Sequence, residues 1–386
     1  MMDNAIEVYI HIPFCVKKCD YCDFLSFASD DDTKLAYVKV LVQEIEQEAL
    51  KYAGRSVCSV FIGGGTPSAL SVGCIEDILK SLRKHYDILE DAEITIECNP
   101  GTITKAKLEE YRASGINRLS IGLQSTDDRE LRLLGRIHNY KTFLDNYRLA
   151  REVGFNNINI DLISGLPKQN VNDFELSLKR VIELNPEHIS CYSLIVEEDT
   201  PFYDKYSEGK ACEKEMPGEE IDRKIYHLTG KLLEEAGYFR YEISNYSKQG
   251  YKCKHNIGYW TRREYIGFGL GAASLYNNVR WSNTRDMKKY LDCILKGTSI
   301  NEDEGLLSDK EQMEEYVFLG LRLIDGISLD DFENAFGTQL FDIKEYRVHT
   351  ERMLKEGLLE LVRDKLRLTS KGLDLANYVM SGFIID

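Results

Sequence analysis

The feature that most limits the folds open to this chain is a repeated alternation of short apolar runs with longer amphipathic segments. Six runs rich in isoleucine and valine predict strands, at residues 8–12, 57–62, 93–98, 118–123, 157–163 and 188–194. The segments between them place apolar residues at three- and four-residue steps and predict helices, at residues 33–52, 76–86, 104–114, 141–153 and 173–184. Thr104 is a typical helix N-cap, and Gly115 and Gly154 are typical helix stops.

Strands that alternate with helices predict an α/β protein with a parallel sheet and right-handed crossovers. Six units are too few for a closed eight-stranded barrel, so a partial barrel and a doubly wound sheet both remain open. In either fold the active site lies at the carboxyl ends of the strands. Polar, glycine-rich or cysteine-rich segments end or follow five of the strands: CVKKCDYC, FIGGGTPS, ECNPGT, GLQS and DLISGLP. Their shared position predicts one functional edge of the sheet.

The charge balance narrows the partners that this chain is expected to bind. Its 386 residues include 49 Lys and Arg and 64 Asp and Glu, a net charge of −15. A body this acidic repels polyphosphates, so we expect no nucleic-acid partner. The first residues lack the basic start and apolar run of a signal peptide, and no stretch reaches the roughly 18 apolar residues of a membrane span. We therefore expect a cytoplasmic protein with no integral membrane segment.

The pattern changes after residue 240. Residues 241–283 are rich in aromatic residues and glycine without a clear helical period, which predicts loops and short strands beside the barrel. The last part predicts three helices, at 310–323, 329–336 and 344–356, then a hairpin turning at 363–364 and a helix at 371–379. This order is typical of a small winged-helix-like α+β domain, and the acidic balance favours covering or protein contact as its role. The predicted units are 1–240, 241–300 and 301–386.

Three of the ten cysteines, Cys15, Cys19 and Cys22, stand apart because they are close together in the sequence. The other seven are scattered singly and predict small core residues or free thiols in a reducing compartment. Structural zinc normally takes four ligands, and a C-x-x-C redox pair needs only two. Three thiolates on a [4Fe-4S] cluster leave one iron with an open coordination site. The position after the first strand favours such a substrate-binding cluster, and a zinc-bound scaffold with a partner-recruiting tail stays as the non-enzymatic alternative.

The spacing C-x-x-x-C-x-x-C after the first strand of a partial barrel resembles the signature of radical S-adenosylmethionine (radical SAM) enzymes. The segments YIHIPFCVKKCDYCDF, GGGTPS, GLQS, LGRIH, DLISGLP and HNIGYW narrow the resemblance to the anaerobic coproporphyrinogen III oxidase family, and within it to the HemW-like haem chaperone branch. It extends from residue 8 to about residue 380. The resemblance implies a partial (β/α)6 TIM-like barrel, a [4Fe-4S] cluster on Cys15, Cys19 and Cys22, and S-adenosyl-L-methionine at the open iron.

The resemblance also implies a set of cofactor-binding residues. It assigns contacts with S-adenosylmethionine or its surroundings to Tyr9, Tyr21, Gly63, Gly64, Gly65, Thr66, Glu97, Gln124, Arg136 and Asp161. The glycines would let the backbone approach the methionine amino group, and the Arg136 guanidinium would pair with the methionine carboxylate. His255, in HNIGYW, matches a motif proposed to help hold haem, for which an imidazole is a natural axial ligand. Taken one at a time, these residues also suit caps, turns and packing.

Two departures separate this chain from oxygen-independent coproporphyrinogen III dehydrogenase, which belongs to the same family. The dehydrogenase carries a further cysteine where this chain has Phe24, and a long segment before the cluster. The resemblance therefore implies a haem chaperone, with oxidative decarboxylation of a porphyrinogen as the alternative. Ala273 stands where many relatives carry a histidine. The implied partners are haem or another porphyrin, a haem-acceptor protein, and an electron donor such as flavodoxin or ferredoxin; no catalytic residue is assigned.

Overall fold

A mixed twelve-stranded sheet lies at the centre of the computed structural model, which describes residues 4–385. The strands of this sheet and of two smaller sheets are, in chain order, β1 (Ala5–Ile12), β2 (Phe14–Cys15), β3 (Phe27–Ala28), β4 (Ser56–Gly64), β5 (Asp87–Cys98), β6 (Arg118–Gln124), β7 (Ile158–Ser164), β8 (His188–Ser193), β9 (Phe239–Arg240), β10 (Asn245–Ser247), β11 (Tyr265–Phe268), β12 (Ala273–Tyr276), β13 (Val279–Asn283), β14 (Asn301–Leu306), β15 (Ile327–Ser328), β16 (Leu359–Val362) and β17 (Lys365–Leu368).

Helices connect most of these strands and cover the sheet. The α-helices are α1 (Asp31–Glu48), α2 (Cys74–His85), α3 (Lys105–Ala113), α4 (Asp128–Leu133), α5 (Tyr140–Val153), α6 (Val171–Glu183), α7 (Pro201–Tyr206), α8 (Glu219–Glu235), α9 (Lys254–Trp260), α10 (Met287–Lys296), α11 (Asp309–Gly320), α12 (Leu329–Phe336), α13 (Lys344–Lys355), α14 (Ser370–Asp374) and α15 (Ala376–Ser381). Short 3-10 turns lie at Ala49–Tyr52, Pro67–Ala69, Glu213–Glu215 and Leu340–Asp342.

The strand order of the large sheet decides between the two folds that the sequence left open. That order is β14-β13-β12-β11-β1-β4-β5-β6-β7-β8-β10-β9. Strands β1 and β4 to β8 pair in parallel and lie side by side in the order in which they follow along the chain. A doubly wound sheet reverses that order at a switch point, whereas a barrel keeps it. The six predicted β/α units are confirmed, and they form a partial barrel.

The parallel strands are buried on both faces, as expected where helical crossovers cover a sheet. Strand β1 shows this clearly: Ile6, Val8 and Ile10 are fully buried on one face, and Glu7 and His11 are buried on the other. Strand β5 begins at Asp87, six residues earlier than predicted, because its exposed polar first half conceals the apolar pattern that identifies a strand. Helix α3 has the predicted cap, with the Thr104 side chain accepting a hydrogen bond from the backbone amide of Lys107.

Residues 241–300 continue the large sheet. Strand β10 pairs antiparallel to β8, and β11 pairs parallel to β1 on the opposite side of the barrel strands. Ile266, Phe268 and Tyr290 belong to the same hydrophobic core as the barrel. The predicted boundary near residue 240 thus coincides with a change from parallel β/α units to mainly antiparallel strands within one sheet.

Helix α9 was not predicted, and it contains the whole HNIGYW motif. Gly258 in its middle breaks the apolar period and disfavours a helix when the sequence is considered alone. The structure explains the glycine, because a Cβ at this position would overlap the carboxylate of Glu7 on β1. The helix therefore packs directly on the first barrel strand.

The C-terminal residues form a separate winged-helix-like unit, as predicted. A three-stranded sheet of order β15-β17-β16 packs with α11, α12 and α13 around its own hydrophobic core, which includes Phe332 and Leu366. The hairpin turns at Arg363, whose φ of 59° is left-handed. Helix α12 has the predicted bounds, whereas the last predicted helix is divided at Leu375 into α14 and α15. No helix within residues 4–385 has the length and hydrophobicity that a membrane crossing requires.

A buried carboxyl group ties α1 to the segment between β11 and α10. The Glu44 side chain accepts hydrogen bonds from the Gly269 amide at 2.9 Å, the Asn283 side-chain amide at 2.9 Å and the Tyr290 hydroxyl at 2.5 Å. Burial raises the pKa of Glu44 to about 7 despite these three donors. The folded protein therefore keeps a proton on Glu44 at pH values where the unfolded chain has released it.

We expect this proton to make the stability of the protein depend on pH. Between about pH 4.5 and 7 the folded state binds more protons at Glu44, so the free energy of unfolding from this group falls as pH rises, by about 3 kcal/mol in total. In Glu44→Gln the group cannot titrate. Urea denaturation at pH 5 and pH 8 should show the variant gaining stability relative to wild type at the higher pH. Glu46→Gln, an exposed position on the same helix, should follow wild type. Parallel curves for Glu44→Gln and wild type would contradict this assignment.

Candidate functional site

The three clustered cysteines lie just after the first barrel strand: Cys15 ends β2, and Cys19 and Cys22 lie in the loop between β2 and β3. Their thiols are half-buried and make no disulfide. The Cys15 thiol lies 3.4 Å from the Thr66 hydroxyl, and the Arg136 guanidinium donates to the Cys19 thiol at 3.5 Å. The loop therefore contacts both the turn after β4 and the segment after α4.

A cavity of about 470 Å³ opens beside this loop, and we call it the cysteine cavity. Most of the predicted cofactor-binding residues line it: Cys15, Cys19, Cys22, Tyr21, Gly64, Gly65, Thr66, Glu97, Gln124, Arg136 and Asp161. They come from the carboxyl ends of successive parallel strands, where side chains of neighbouring strands converge. Three predicted residues lie elsewhere: Gly63 precedes the lining glycines, Tyr9 lines an adjacent cavity with Gly64 and Glu97, and His255 is buried away from both cavities.

The turn after β4 requires glycine for two separate reasons. Gly64 has a φ of 106°, which side-chain-bearing residues rarely adopt, and a Cβ there would overlap the His11 ring. At Gly65 a Cβ would lie 2.8 Å from the Phe14 carbonyl oxygen. The Gly65 and Thr66 amides donate to the Ile12 and Phe14 carbonyls, both at 2.8 Å, so this turn is fixed to the start of the cysteine loop.

Two carboxyl groups lie in the floor of the cysteine cavity. Burial, with the nearby Asp161 as a second cause, raises the pKa of Glu97 to about 8. Burial also raises the pKa of Asp161, although Asn159 donates to it at 2.8 Å and Ser120 at 3.2 Å. Glu97 accepts a hydrogen bond from the Gly64 amide at 3.0 Å. Both groups are therefore held in place and can accept further hydrogen bonds from a cationic or hydroxyl-bearing ligand.

The Arg136 guanidinium lies in the wall of the cysteine cavity, and only some of its N–H groups have hydrogen-bond partners. It donates to the Asn99 side-chain oxygen at 2.7 Å and to the Gly122 carbonyl at 2.6 Å. Its Nε is buried and has no hydrogen-bond partner among residues 4–385. Burial alone would lower the pKa of Arg136, but Tyr21 and Cys19 raise it above its usual value, so the group stays cationic. A buried cation with an unused donor suits an anionic ligand group.

Asn99 and Gly122 were not singled out from the sequence, although the motifs ECNPGT and GLQS contain them. They act on the site by fixing Arg136, and no local pattern indicates that contact. Gln124 at the end of β6 adopts a left-handed φ of 73° beside a register shift in the β6–β7 ladder. Non-glycine residues in this conformation cluster at functional sites, and the role of Gln124 as a ligand contact stays a prediction.

His255 occupies a buried position in which both ring nitrogens are engaged. Its Nδ1 lies 2.8 Å from the Ser59 hydroxyl, and its Nε2 lies 3.1 Å from the Tyr259 hydroxyl. Burial lowers the pKa of His255 to about 3, with the Arg118 charge as a second cause, so the ring is neutral. Haem ligation by this imidazole would require these contacts to break, and the assignment stays a prediction.

The residues present fit an iron–sulfur cluster and S-adenosylmethionine better than zinc. Zinc needs ligands that converge on one ion, and within the described part of the chain no group of three or more His, Cys, Asp or Glu side chains does so. A cluster of four irons binds each thiolate to a different iron, so its ligands stay apart. The half-buried thiols, the unused Arg136 Nε and the glycine turn supply thiolate ligands, a carboxylate partner and close backbone approach.

A partial barrel with a three-cysteine loop at its carboxyl edge defines the radical SAM class, and comparison with known proteins agrees. The model of the Radical SAM superfamily matches residues 9–181, and that of the HemN C-terminal domain matches residues 307–375. The solved structure of coproporphyrinogen III oxidase (HemN) from Escherichia coli, a radical SAM enzyme, superposes with a TM-score of 0.86 at 26% identity, covering 98% of this chain and 90% of that one.

Relatives that align over nearly the full length of this chain identify one family within the radical SAM class. The chain is 34% identical to the haem chaperone HemW of Bacillus subtilis (strain 168), over 98% of this chain and 99% of that protein. It is 33% identical to the haem chaperone HemW of Lactococcus lactis subsp. lactis (strain IL1403), over 100% of this chain and 99% of that protein. The chain belongs to the HemW family of radical SAM proteins.

Proposed function

We propose that this chain is a haem chaperone: it holds a [4Fe-4S] cluster on Cys15, Cys19 and Cys22, binds S-adenosylmethionine beside it, and delivers haem to an acceptor protein. The cysteine cavity carries the proposal, because it gathers three thiols, a glycine turn and a cation at the carboxyl edge of the barrel. The haem-carrying role is supported by identity with haem chaperones over nearly the whole chain.

When bound, the cluster supplies an electron and S-adenosylmethionine supplies a sulfonium that can accept it. The chain's own residues orient and enclose that nucleotide. The Arg136 guanidinium would pair with the methionine carboxylate, and the turn at 63–66 would accept from the ammonium. Glu97 and Asp161 accept from ribose hydroxyls or the ammonium. Tyr9, Tyr21 and Gln124 complete the proposed contacts.

Further elements of the proposal concern partners and organisation. We include an electron donor such as flavodoxin or ferredoxin, a cytoplasmic location and the absence of a nucleic-acid partner; the net charge of −15 supports the last of these. We also keep the division into 1–240, 241–300 and 301–386, supported by the change in strand pairing near residue 240 and by the separate core of the C-terminal unit.

The test is a haem titration of the protein after anaerobic cluster reconstitution, followed by absorption spectroscopy. We expect a saturable spectrum with about one haem per chain, and transfer of that haem to a haem-depleted acceptor protein. Absence of a saturable spectrum, both with and without the cluster, would exclude the chaperone role. An assay for 5′-deoxyadenosine in the same samples reports whether S-adenosylmethionine is cleaved.

Oxidative decarboxylation of a porphyrinogen is the second candidate, because the fold matches coproporphyrinogen III oxidase over 98% of this chain. One residue argues against decarboxylation as the function. Phe24 stands where the dehydrogenase has a cysteine, and its side chain is 62% exposed at the mouth of the cysteine cavity. Incubation with coproporphyrinogen III, S-adenosylmethionine and a reductant decides between the two: formation of decarboxylated product would establish the enzyme.

A further inference from the structure

A second cavity, of about 510 Å³, adjoins the cysteine cavity and shares Asp23, Phe24, Gly64 and Glu97 with it. The rest of its lining comes from β1, the cysteine loop, helix α9, strands β11 to β13 with the turn before β12, and the loop before α10, so barrel and extension enclose it together. Its volume lies in the range of small-molecule and cofactor sites, about 300–1,000 Å³. We call it the aromatic cavity.

Aromatic side chains form much of the wall of this cavity. Tyr9, Phe24, Tyr259 and Tyr265 all line it, and the rings of Tyr259 and Tyr265 meet edge to face with centroids 4.8 Å apart. Tyr259 is the residue of the HNIGYW motif that lines the cavity, while His255 lies behind it and contacts its hydroxyl. Such a wall offers ring faces and edges to a flat, conjugated ligand.

Neither His11 nor Ala273, which both line this cavity, provides a free ligand atom for a metal. His11 lines the cavity, but its Nδ1 lies 3.0 Å from the Tyr9 hydroxyl and its Nε2 lies 2.9 Å from the Leu25 carbonyl oxygen. Ala273, at the position where many relatives have a histidine, contributes only a methyl group. Recognition of a ligand here therefore depends on its ring surface and its substituents.

Arg285 supplies the cationic group of this lining. It lies between β13 and α10, is exposed to solvent, and its side chain makes no hydrogen bond or ion pair with another residue of the described range 4–385. Of the carboxyl groups on the wall, Glu97 is largely protonated at neutral pH because burial raises its pKa to about 8, and Asp23 lies at the edge shared with the cysteine cavity. An unpaired guanidinium at the rim of an aromatic cavity suits a planar ligand that carries a carboxylate.

We propose that the aromatic cavity binds the tetrapyrrole and that Arg285 pairs with one of its propionate carboxylates. The assignment rests on the proposed haem-binding function and adds the place of binding and the group that recognises the carboxylate. In this assignment, Tyr259 is the residue of the HNIGYW motif that contacts the tetrapyrrole. The planar fork of Arg285 would bind the carboxylate through two parallel hydrogen bonds, while the macrocycle lies against the aromatic wall.

The experiment uses the full-length, cluster-reconstituted protein and two metal-free probes, protoporphyrin IX and its dimethyl ester, titrated by fluorescence. Metal-free probes cannot take an axial ligand, so they report only on ring and carboxylate contacts. Wild type should bind the diacid about tenfold more tightly than the ester. Arg285→Gln should lower the affinity for the diacid about tenfold and leave the ester unchanged, and Arg285→Lys should lie between. Arg148→Gln, an exposed position on the outer helix α5, should match wild type.

The outcomes separate this assignment from the proposed function. If wild type binds neither haem nor protoporphyrin, the haem-binding function fails and the cavity assignment fails with it. If wild type binds both but Arg285→Gln binds the diacid as tightly as wild type, only the carboxylate anchor is overturned. An equal loss of both probes in Arg285→Gln also overturns it, because the ester has no charge to pair.

Discussion

Replacing any one of Cys15, Cys19 and Cys22 with serine is expected to abolish the [4Fe-4S] cluster. Each thiolate would hold a different iron, and a serine hydroxyl remains protonated at neutral pH and is a poor ligand for iron in a sulfide cluster. A fourth cysteine, Cys98, also lines the cavity, but it is buried at the end of barrel strand β5 and not in the cysteine loop. Iron and sulfide content after anaerobic reconstitution should fall to background in each variant, and the electron resonance signal of the reduced cluster should disappear.

Cys293 offers a matched control, because it is half-buried in α10 and lies in neither cavity. Cys293→Ser should reconstitute like wild type. A cluster signal that persists in any of the three loop variants would refute the ligand assignment. Metal analysis of the anaerobically purified protein adds a further check, since about one zinc per chain without iron or sulfide would favour the scaffold alternative.

Arg136→Gln is expected to produce the second large effect, a loss of S-adenosylmethionine binding with the cluster retained. The Arg136 guanidinium lines the cavity, its Nε has no hydrogen-bond partner among residues 4–385, and its Nη2 is fixed by Asn99 and Gly122. Removing a charge-assisted contact of this kind costs about 1.5–3 kcal/mol, or roughly 10- to 100-fold in affinity. Equilibrium dialysis with labelled S-adenosylmethionine on cluster-loaded protein measures the loss.

Two further variants make this prediction specific. Arg136→Lys keeps the charge but not the planar fork, so its affinity should lie between wild type and Arg136→Gln. Arg132→Gln, exposed in the preceding helix α4, should bind as wild type does. Iron content is determined first in every sample, because Arg136 also donates to the Cys19 thiol. Unchanged affinity in Arg136→Gln at full cluster content would remove Arg136 from the site.

The position of His255 shows how a motif can lie beside a cavity while its histidine side chain does not line that cavity. HNIGYW suggested an imidazole for haem, because histidine is a common axial ligand. In the folded chain the motif is a helix packed on β1, so residues on its inner side are buried and only part of it meets a cavity. Tyr259 lines the aromatic cavity, and the His255 ring lies behind it between Ser59 and Tyr259.

The β/α order, the cysteine loop and most of the cofactor-binding candidates could be predicted from the amino-acid sequence. These features are local: strand and helix periods, a three-thiol spacing, and a run of three glycines directly after a strand. Parallel strands then bring the segments after their carboxyl ends to one edge, so the cysteine cavity follows from the strand order.

The contacts that complete the two cavities join residues far apart in sequence and are visible only in the folded chain. The Arg136 contacts with Asn99 and Gly122, the burial of His255 and the closure of the aromatic cavity by β11 to β13 all join residues far apart in sequence. A local pattern carries no information about such contacts, because they depend on how the extension after residue 240 pairs with β1. Arg285 illustrates the difference: in the sequence it is one arginine among many, and in the fold it is a cation on an aromatic wall whose side chain makes no hydrogen bond or ion pair within residues 4–385.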